Sequence, residues 1–156
     1  MRLTAVAAMA ALLTLLPADL LAQASNPSGL IRITSPRTID VIAAGIDLVV
    51  KEHGYGVVAR HDMTKTLGKK GFDIGRRVMI FELCSPKHAS KVIRQNVAIS
   101  TVLPCRISVW EENGKTVIAM VSPKLLIEMF GSTPELAALA QQVETELRAV
   151  MDDLAG

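Results

Sequence analysis

The sequence predicts an α+β fold, a two-layer α/β sandwich in which a mixed sheet of about five strands carries helices mainly on one face. Two long segments, residues 39–50 and 136–154, carry apolar side chains at helical spacing. The segments between them are short and rich in β-branched residues. The resulting order of elements, βαβ(α)βαββα, indicates one domain with a single core.

The first predicted elements are a short strand over residues 30–34 and a long amphipathic helix. Ser35 and Pro36 are typical of a helix start, with serine as the N-cap and proline at the first helical position. Gly54 ends this helix. Its apolar face, which we expect to lie on the sheet, consists of Ile39, Ile42, Ala43, Ile46, Val49 and Val50.

Two strands and two shorter helices follow. Residues 55–62 are rich in β-branched side chains and predict a strand, and residues 63–70 predict a short helix. Residues 78–81 are continuously apolar, which is typical of a strand covered on both faces. This strand ends at Cys84, and a serine–proline pair then predicts a helix that runs through residue 94.

The last third of the chain predicts a hairpin and a second amphipathic helix. The Asn-Gly pair at residues 113–114 favours a tight turn, so residues 106–112 and 115–121 are predicted to pair antiparallel. A Thr-Pro-Glu start at residues 133–135 precedes the final helical pattern, which continues to residue 154.

The N-terminal residues 1–24 have the three parts of a secretory signal peptide. Arg2 precedes an apolar run over residues 3–16, and a small-x-small triplet predicts cleavage after Ala24. An uncleaved anchor is the alternative, but this run is short for a membrane span of about 20 residues. We therefore expect a periplasmic or secreted protein, free of the membrane after cleavage, that begins with a polar linker over residues 25–29.

Charge is nearly balanced overall but unevenly distributed. The formal net charge is +2, whereas residues 60–94 carry nine basic and three acidic side chains, and residues 111–156 carry three basic and eight acidic ones. Nucleic-acid binding is not expected, because no aromatic side chain lies within a basic cluster as a stacking platform. An anionic small ligand, or contact between the two segments within one subunit or across a homodimer, explains the asymmetry.

Four short strings, in their order and spacing, resemble a known family. They are GYGVVAR at residues 54–60, FELCSPK at 81–87, LPCR at 103–106 and ENGK at 112–115. Together with Asp62 they make the chain similar to the domain of unknown function 302 family over residues 30–130, with residues 131–156 as a C-terminal amphipathic helix packed on that domain. The resemblance implies a small α/β domain that forms a homodimer, and it implies no defined activity.

The chain departs from the common pattern of that family at two places. Many members have Asp-His at the end of the second strand, whereas this chain has Asp62 and Met63, with His61 before the aspartate. Many members also have Gly-Asn-Pro and Leu-Pro-Leu strings where this chain has Cys84 and Cys105. The chain therefore resembles a cysteine-containing branch, and any cysteine chemistry belongs to that branch alone.

Cys84 and Cys105 are the two cysteines of the chain, and three interpretations of them stay open. The first is structural: a disulfide, or two small buried thiols. A disulfide needs neighbouring antiparallel strands, because parallel strands would place the two residues at opposite ends of the sheet. The second is a soft-metal site for copper, or a haem site, in which Met63, His61 and His88 add further ligands.

The third interpretation is thiol chemistry in redox or sulfur metabolism, because Lys87 and a helix start lie beside Cys84 and such a setting lowers the pKa of a thiol. The common hydrolase signatures are missing from the sequence. We therefore favour a non-enzymatic accessory domain that binds a small ligand or a soft metal. The expected ligand-binding residues are Asp62, Cys84, Ser85, Lys87 and Cys105.

Overall fold

The computed structural model describes residues 29–156 of the chain. The predicted signal peptide over residues 1–24, with its cleavage site after Ala24, and most of the predicted linker lie outside the described residues. None of the helices within residues 29–156 is long and apolar enough to cross a membrane. Cleavage and export stay predictions.

Five strands form one sheet in the spatial order β1-β5-β4-β3-β2, which confirms the predicted α+β fold and strand number. Every neighbouring pair is antiparallel, so the prediction of a mixed sheet is wrong. The strands are β1 (Leu30–Ser35), β2 (Gly56–Asp62), β3 (Val78–Cys84), β4 (Cys105–Glu112) and β5 (Lys115–Val121).

The path between β3 and β4 explains this correction. The chain leaves β3 at Cys84, passes through an α-helix and a 3-10 helix, and enters β4 at Cys105 beside the end of β3. A helical crossover usually joins parallel strands by returning the chain to the opposite end of the sheet. Here the two short helices turn the chain back at the end that it left, so β4 runs antiparallel to β3.

The four helices that the sequence predicts are present, with one difference at the start of the first, whereas two further helical segments, over residues 97–102 and 123–128, were not predicted. The first helix begins at Ile39 with Thr38 as its N-cap, because Ser35 is the last residue of β1 and donates its hydroxyl to the carbonyl oxygen of Ala155 at 2.8 Å. The helices are α1 (Ile39–Glu52), α2 (Met63–Gly68), α3 (Pro86–Gln95), a 3-10 helix (Val97–Val102), α4 (Pro123–Glu128) and α5 (Pro134–Ala155).

One hydrophobic core lies between the sheet and the helices. Phe81, Ile107 and Ile118 are fully buried on three neighbouring strands, and they pack with Ile46 of α1 and Leu147 of α5. Helix α5 contributes nine buried residues. The C-terminal helix therefore shares the core of the sheet and is not a separate appendage.

The other face of the sheet carries polar and amphipathic side chains together with the buried Val117 and Ala119, which pair with Trp110 and Arg32. Arg32 and Trp110 alternate with core residues along β1 and β4, and the Arg32 guanidinium carbon lies 5.8 Å from the centroid of the Trp110 ring. Arg32 also pairs with Glu112. The helices cover mainly one face, as the sequence predicts.

Replacing Phe81 by alanine tests this core. The Phe81 side chain is 0 % exposed, whereas Phe72 is 64 % exposed. We expect Phe81→Ala to lower the free energy of unfolding by about 3–5 kcal/mol, because it removes buried contacts and leaves a cavity. Phe72→Ala, the matched control, should change it by less than about 0.5 kcal/mol. Equal effects in urea denaturation would contradict the assignment of the core.

Candidate functional site

The two cysteines lie at the same end of neighbouring strands. Cys84 ends β3 and Cys105 begins β4, and the pairing register places Leu83 directly opposite Cys105. The antiparallel arrangement thus brings together two residues that are 21 positions apart in the chain. Both are free thiols and both are partly buried.

Both cysteines line one small apolar cavity of about 60 Å³. Its walls come from the ends of β3 and β4, from α3 and from the apolar side of α5, which contributes Leu139 and Val143. Pockets for organic ligands measure about 300–1,000 Å³, whereas one water takes about 30 Å³. The enclosed space is that of a single ion or about two water molecules, and it is smaller than a haem group.

A second cavity of about 200 Å³ adjoins the first. Cys105 and Pro104 line both cavities, and the exposed Arg106 lines the second one. Cys105 is therefore located where the two cavities meet.

A partly buried polar cluster contributes two residues to the cavity wall. His88 of α3 is 8 % exposed and lines the cavity together with Tyr55. Both side chains reach Glu146 of α5: His88 Nε2 lies 2.9 Å from Glu146 Oε2, and the Tyr55 hydroxyl donates to the same oxygen at 2.7 Å. Gln142 donates to the other carboxylate oxygen at 2.8 Å. His88 Nδ1 is buried and has no hydrogen-bond partner among residues 29–156.

The cluster controls the protonation of its members. Desolvation by burial pushes the pKa of Glu146 upward, but the hydrogen bonds from Tyr55 and Gln142 and the proximity of His88 outweigh it and hold this pKa below its ordinary value. Burial, and after it the hydrogen bond to Glu146, raises the pKa of Tyr55. At neutral pH, Glu146 is therefore an ionised acceptor and Tyr55 a neutral donor.

Helix α3 starts directly after Cys84, as predicted. Ser85 is its N-cap residue and is buried, and it lines the cavity without making a capping hydrogen bond within the described part of the chain. Pro86 is the first helical residue. Lys87 is exposed and does not line the cavity, so the structure separates it from the other predicted ligand-binding residues.

Three other predicted site residues lie at the far end of β2. Asp62 pairs with Met79, whereas the opposite end of β2 pairs with Cys84. Met79 and Cys84 are five positions apart in β3, which is about 17 Å along a strand. The structure therefore does not join Asp62, His61 or Met63 to the cysteines.

Each polar residue at that far end has a local partner. The Asp62 carboxylate caps helix α2 by accepting a hydrogen bond from the main-chain nitrogen of Lys65 at 2.8 Å. His61 Nε2 lies 3.3 Å from Glu82 Oε1. The predicted five-residue metal set is thus divided, and only Cys84, Cys105 and His88 share the cavity. Within residues 29–156, no three His, Cys, Asp or Glu side chains converge closely enough in the present arrangement to hold a metal ion.

Sequence reasoning missed Tyr55 and Glu146. Glu146 is partly buried, and Glu144 is buried and accepts a hydrogen bond from the Ser122 hydroxyl. Glu146 directly precedes the core residue Leu147. The position of Glu146 next to the apolar side of the helix is the feature of the sequence that indicates a half-buried carboxylate.

Comparison with known proteins identifies relatives of this fold. The family model described as Domain of unknown function DUF302 matches residues 31–154, which includes the C-terminal helix. The crystal structure of an uncharacterized conserved DUF302 protein from Bacillus stearothermophilus is similar, with a TM-score of 0.77 and 28% sequence identity. The similarity covers 82% of this chain and 98% of that one. No curated protein matches the chain.

Alkylation kinetics test the environment of Cys105. Burial, and after it the neighbouring Cys84, raises the pKa of Cys105 to about 11. Because the thiolate is the reactive form, we expect Cys105 at pH 8 to react with iodoacetamide about 100-fold more slowly than a small-molecule thiol. The rate should rise with pH until about pH 11. Timed alkylation followed by peptide mass spectrometry measures it, and a rate equal to that of the free thiol would show that Cys105 is not buried in this way.

Proposed function

We propose that this chain, which belongs to the DUF302 family, is a non-enzymatic binding protein that holds one Cu(I) ion between Cys84 and Cys105. The main observation that supports this proposal is that both cysteines of the chain line one apolar cavity of about 60 Å³. Soft thiolate sulfur is the donor type that selects Cu(I), and a cavity of this size favours an ion over an organic ligand.

The donor set favours Cu(I) over zinc. Structural zinc sites have four ligands in tetrahedral geometry. Among the described residues, the cavity offers two cysteines and one histidine. Cu(I) is stable with two or three soft donors, so the donors that line the cavity suit Cu(I) better than zinc.

The surroundings also favour a bound ion with two thiolates. Binding releases a proton from each thiol, and the resulting group carries one net negative charge. Helix α3 starts at Pro86, two residues after Cys84, and the N-terminus of a helix is its positive end. The first turn of α3 contains no acidic residue, so this partial positive charge is available to the thiolates.

The two alternative functions receive less support. A redox-active or sulfur-transferring Cys105 would need a low pKa, whereas burial raises the pKa of this thiol to about 11. An interaction module with a structural disulfide needs the two sulfurs to be bonded, whereas both are free thiols in the structure.

The second part of the proposal is that the protein works outside the cytoplasm. The charged start, the apolar run and the small-x-small triplet of residues 1–24 support it.

Intact mass spectrometry tests the export and the thiol state together. We expect protein made in a Gram-negative host to begin at Ser25, because signal peptidase cleaves after Ala24. Treatment with a reductant should leave the mass unchanged, because both cysteines are thiols. A retained N-terminus would overturn the export proposal, and a gain of two hydrogen atoms on reduction would favour the disulfide module.

A Cu(I) titration tests the site itself. Reduced, metal-free protein competes anaerobically with a chromophoric Cu(I) chelator, and we expect one equivalent to bind. Cys84→Ser and Cys105→Ser should each weaken binding by at least about 100-fold, because each removes a direct ligand. His61→Ala is the matched control: His61 lies at the far end of β2, so its loss should leave binding unchanged. If wild type and a Cys84→Ser, Cys105→Ser double variant bound Cu(I) equally, the proposal would be wrong.

A further inference from the structure

The segment between β2 and β3 carries a concentration of positive charge at the surface. Residues 63–77 contain five basic side chains and one acidic side chain. Arg77 pairs with Asp40 of α1, at 2.9 Å between the guanidinium and the carboxylate. The other four cations are exposed and form no ion pair within residues 29–156; they are Lys65, Lys69, Lys70 and Arg76.

The acidic side chains around this segment compensate these four cations only in part. Asp62 lies 3.9 Å from the guanidinium of Arg77, and Glu112 pairs with Arg32. Asp73 is the one acidic residue of the segment, and its carboxylate accepts a hydrogen bond from the main-chain nitrogen of the nearby Gly75 at 2.8 Å. The surface at this place therefore keeps a net positive charge.

A large apolar side chain projects from the middle of this charge. Phe72 follows the two adjacent lysines and is 64 % exposed. Gly68, Gly71 and Gly75 surround it in the chain, and in the described part of the protein each has open space where a β-carbon would lie. The segment over residues 69–76, which we name the Phe72 loop, thus extends away from the body of the domain.

Hydrogen bonds hold the Phe72 loop in this outward position. The main-chain nitrogen of Phe72 donates to the carbonyl oxygen of Leu67 at 3.1 Å, and Gly71 has a φ of +84°, which is the usual way a helix ends at glycine. The Thr64 hydroxyl donates to the carbonyl oxygen of Arg76 at 3.1 Å and so ties the end of the loop to α2. The exposure of Phe72 is therefore part of the fold.

An aromatic side chain among lysines suits the surface of an anionic membrane. Lipid phosphates attract basic side chains, and an apolar side chain beside them enters the boundary between headgroups and acyl chains. An acidic protein would match the charge, but it would also need a pocket shaped for the projecting ring. A bilayer accepts such a side chain without a preformed pocket.

We propose that the Phe72 loop docks on an anionic lipid surface, with the four unpaired cations at the headgroup phosphates and Phe72 inserted between the lipids. The contact is peripheral, since no helix within residues 29–156 is long and apolar enough to cross a membrane. It revises the expectation that the processed protein is free of the membrane. It does not depend on the copper site, because the loop precedes β3 and Cys84 ends that strand.

Flotation with lipid vesicles tests the proposal. Protein that begins at Ser25 contains all of the described fold. It is mixed with vesicles of pure phosphatidylcholine, or with vesicles that also contain phosphatidylglycerol, and the floated fraction is measured. We expect binding to the anionic vesicles only, and its loss at about 1 M salt, where the screening length falls to about 3 Å.

Variants separate the two parts of the contact. Lys69→Gln combined with Lys70→Gln should weaken binding to the anionic vesicles by about 30-fold, because two charges near the surface are lost. Phe72→Ala should weaken it by about tenfold, because the buried ring is lost. Phe72→Trp should retain binding, since tryptophan also suits the membrane interface.

Matched controls make the same changes at the other end of the sheet. Lys91→Gln combined with Lys124→Gln removes two exposed lysines from α3 and α4. Met129→Ala removes an apolar side chain that is 71 % exposed and follows α4. Neither control should change vesicle binding, and circular dichroism establishes that each variant is folded.

The opposite results are equally specific. Absent binding, equal binding to both kinds of vesicle, or equal losses in the loop and control variants would overturn the proposal. Soluble polyaspartate is the last probe: binding that requires Phe72 as well as the lysines would assign the loop to an acidic protein and show the membrane assignment to be wrong. Cu(I) binding should be unchanged in every loop variant, so the two proposals fail separately.

Discussion

The antiparallel pairing of β3 with β4 is the constraint on which the candidate site depends. Its register places Cys105 opposite Leu83, a residue that is fully buried in the core. Because side chains alternate along a strand, a slip by one residue would turn Cys105 to the other face of the sheet, away from the cavity. The packing of Leu83 in the core therefore fixes the position of Cys105 as well. The register between β3 and β4 thus contributes both to the stability of the fold and to the geometry of the two thiols.

Helix α5 completes the site from the other side. Its apolar stripe packs in the core, and Glu146, at the edge of that stripe, reaches Tyr55 and His88. Half-buried carboxylates are costly unless they are hydrogen-bonded, and Glu146 has three such partners, two of them on other segments of the chain. The polar cluster thus specifies how α5 sits against α3, in addition to shaping the cavity.

Local patterns were sufficient for most of the fold. Apolar periodicity located α1 and α5, and the Asn-Gly pair located the β4–β5 hairpin, because these signals act between residues close in the chain. Ser35 was assigned to a helix start because its bond to Ala155, 120 positions away, is invisible in the sequence.

The candidate site was predictable only in part. The sequence singled out both cysteines, but their proximity depends on the direction of β4, which no local pattern determines. Asp62 and His61 were grouped with the cysteines for the same reason. The sequence shows that each of these residues lies near a strand end, but it does not show at which edge of the sheet that end lies. Glu146 was missed because its partners, Tyr55 and His88, are far from it in the chain.

The cavity also affects how the fold responds to compression. Unfolding eliminates internal voids, and hydrostatic pressure favours whichever state has the smaller volume. A void of about 60 Å³ corresponds to about 36 mL/mol, a substantial part of the volume change typical of unfolding. The junction of β3, β4, α3 and α5 is therefore one place where pressure acts on this protein, and an occupant of the cavity would make that junction stiffer without adding a contact elsewhere.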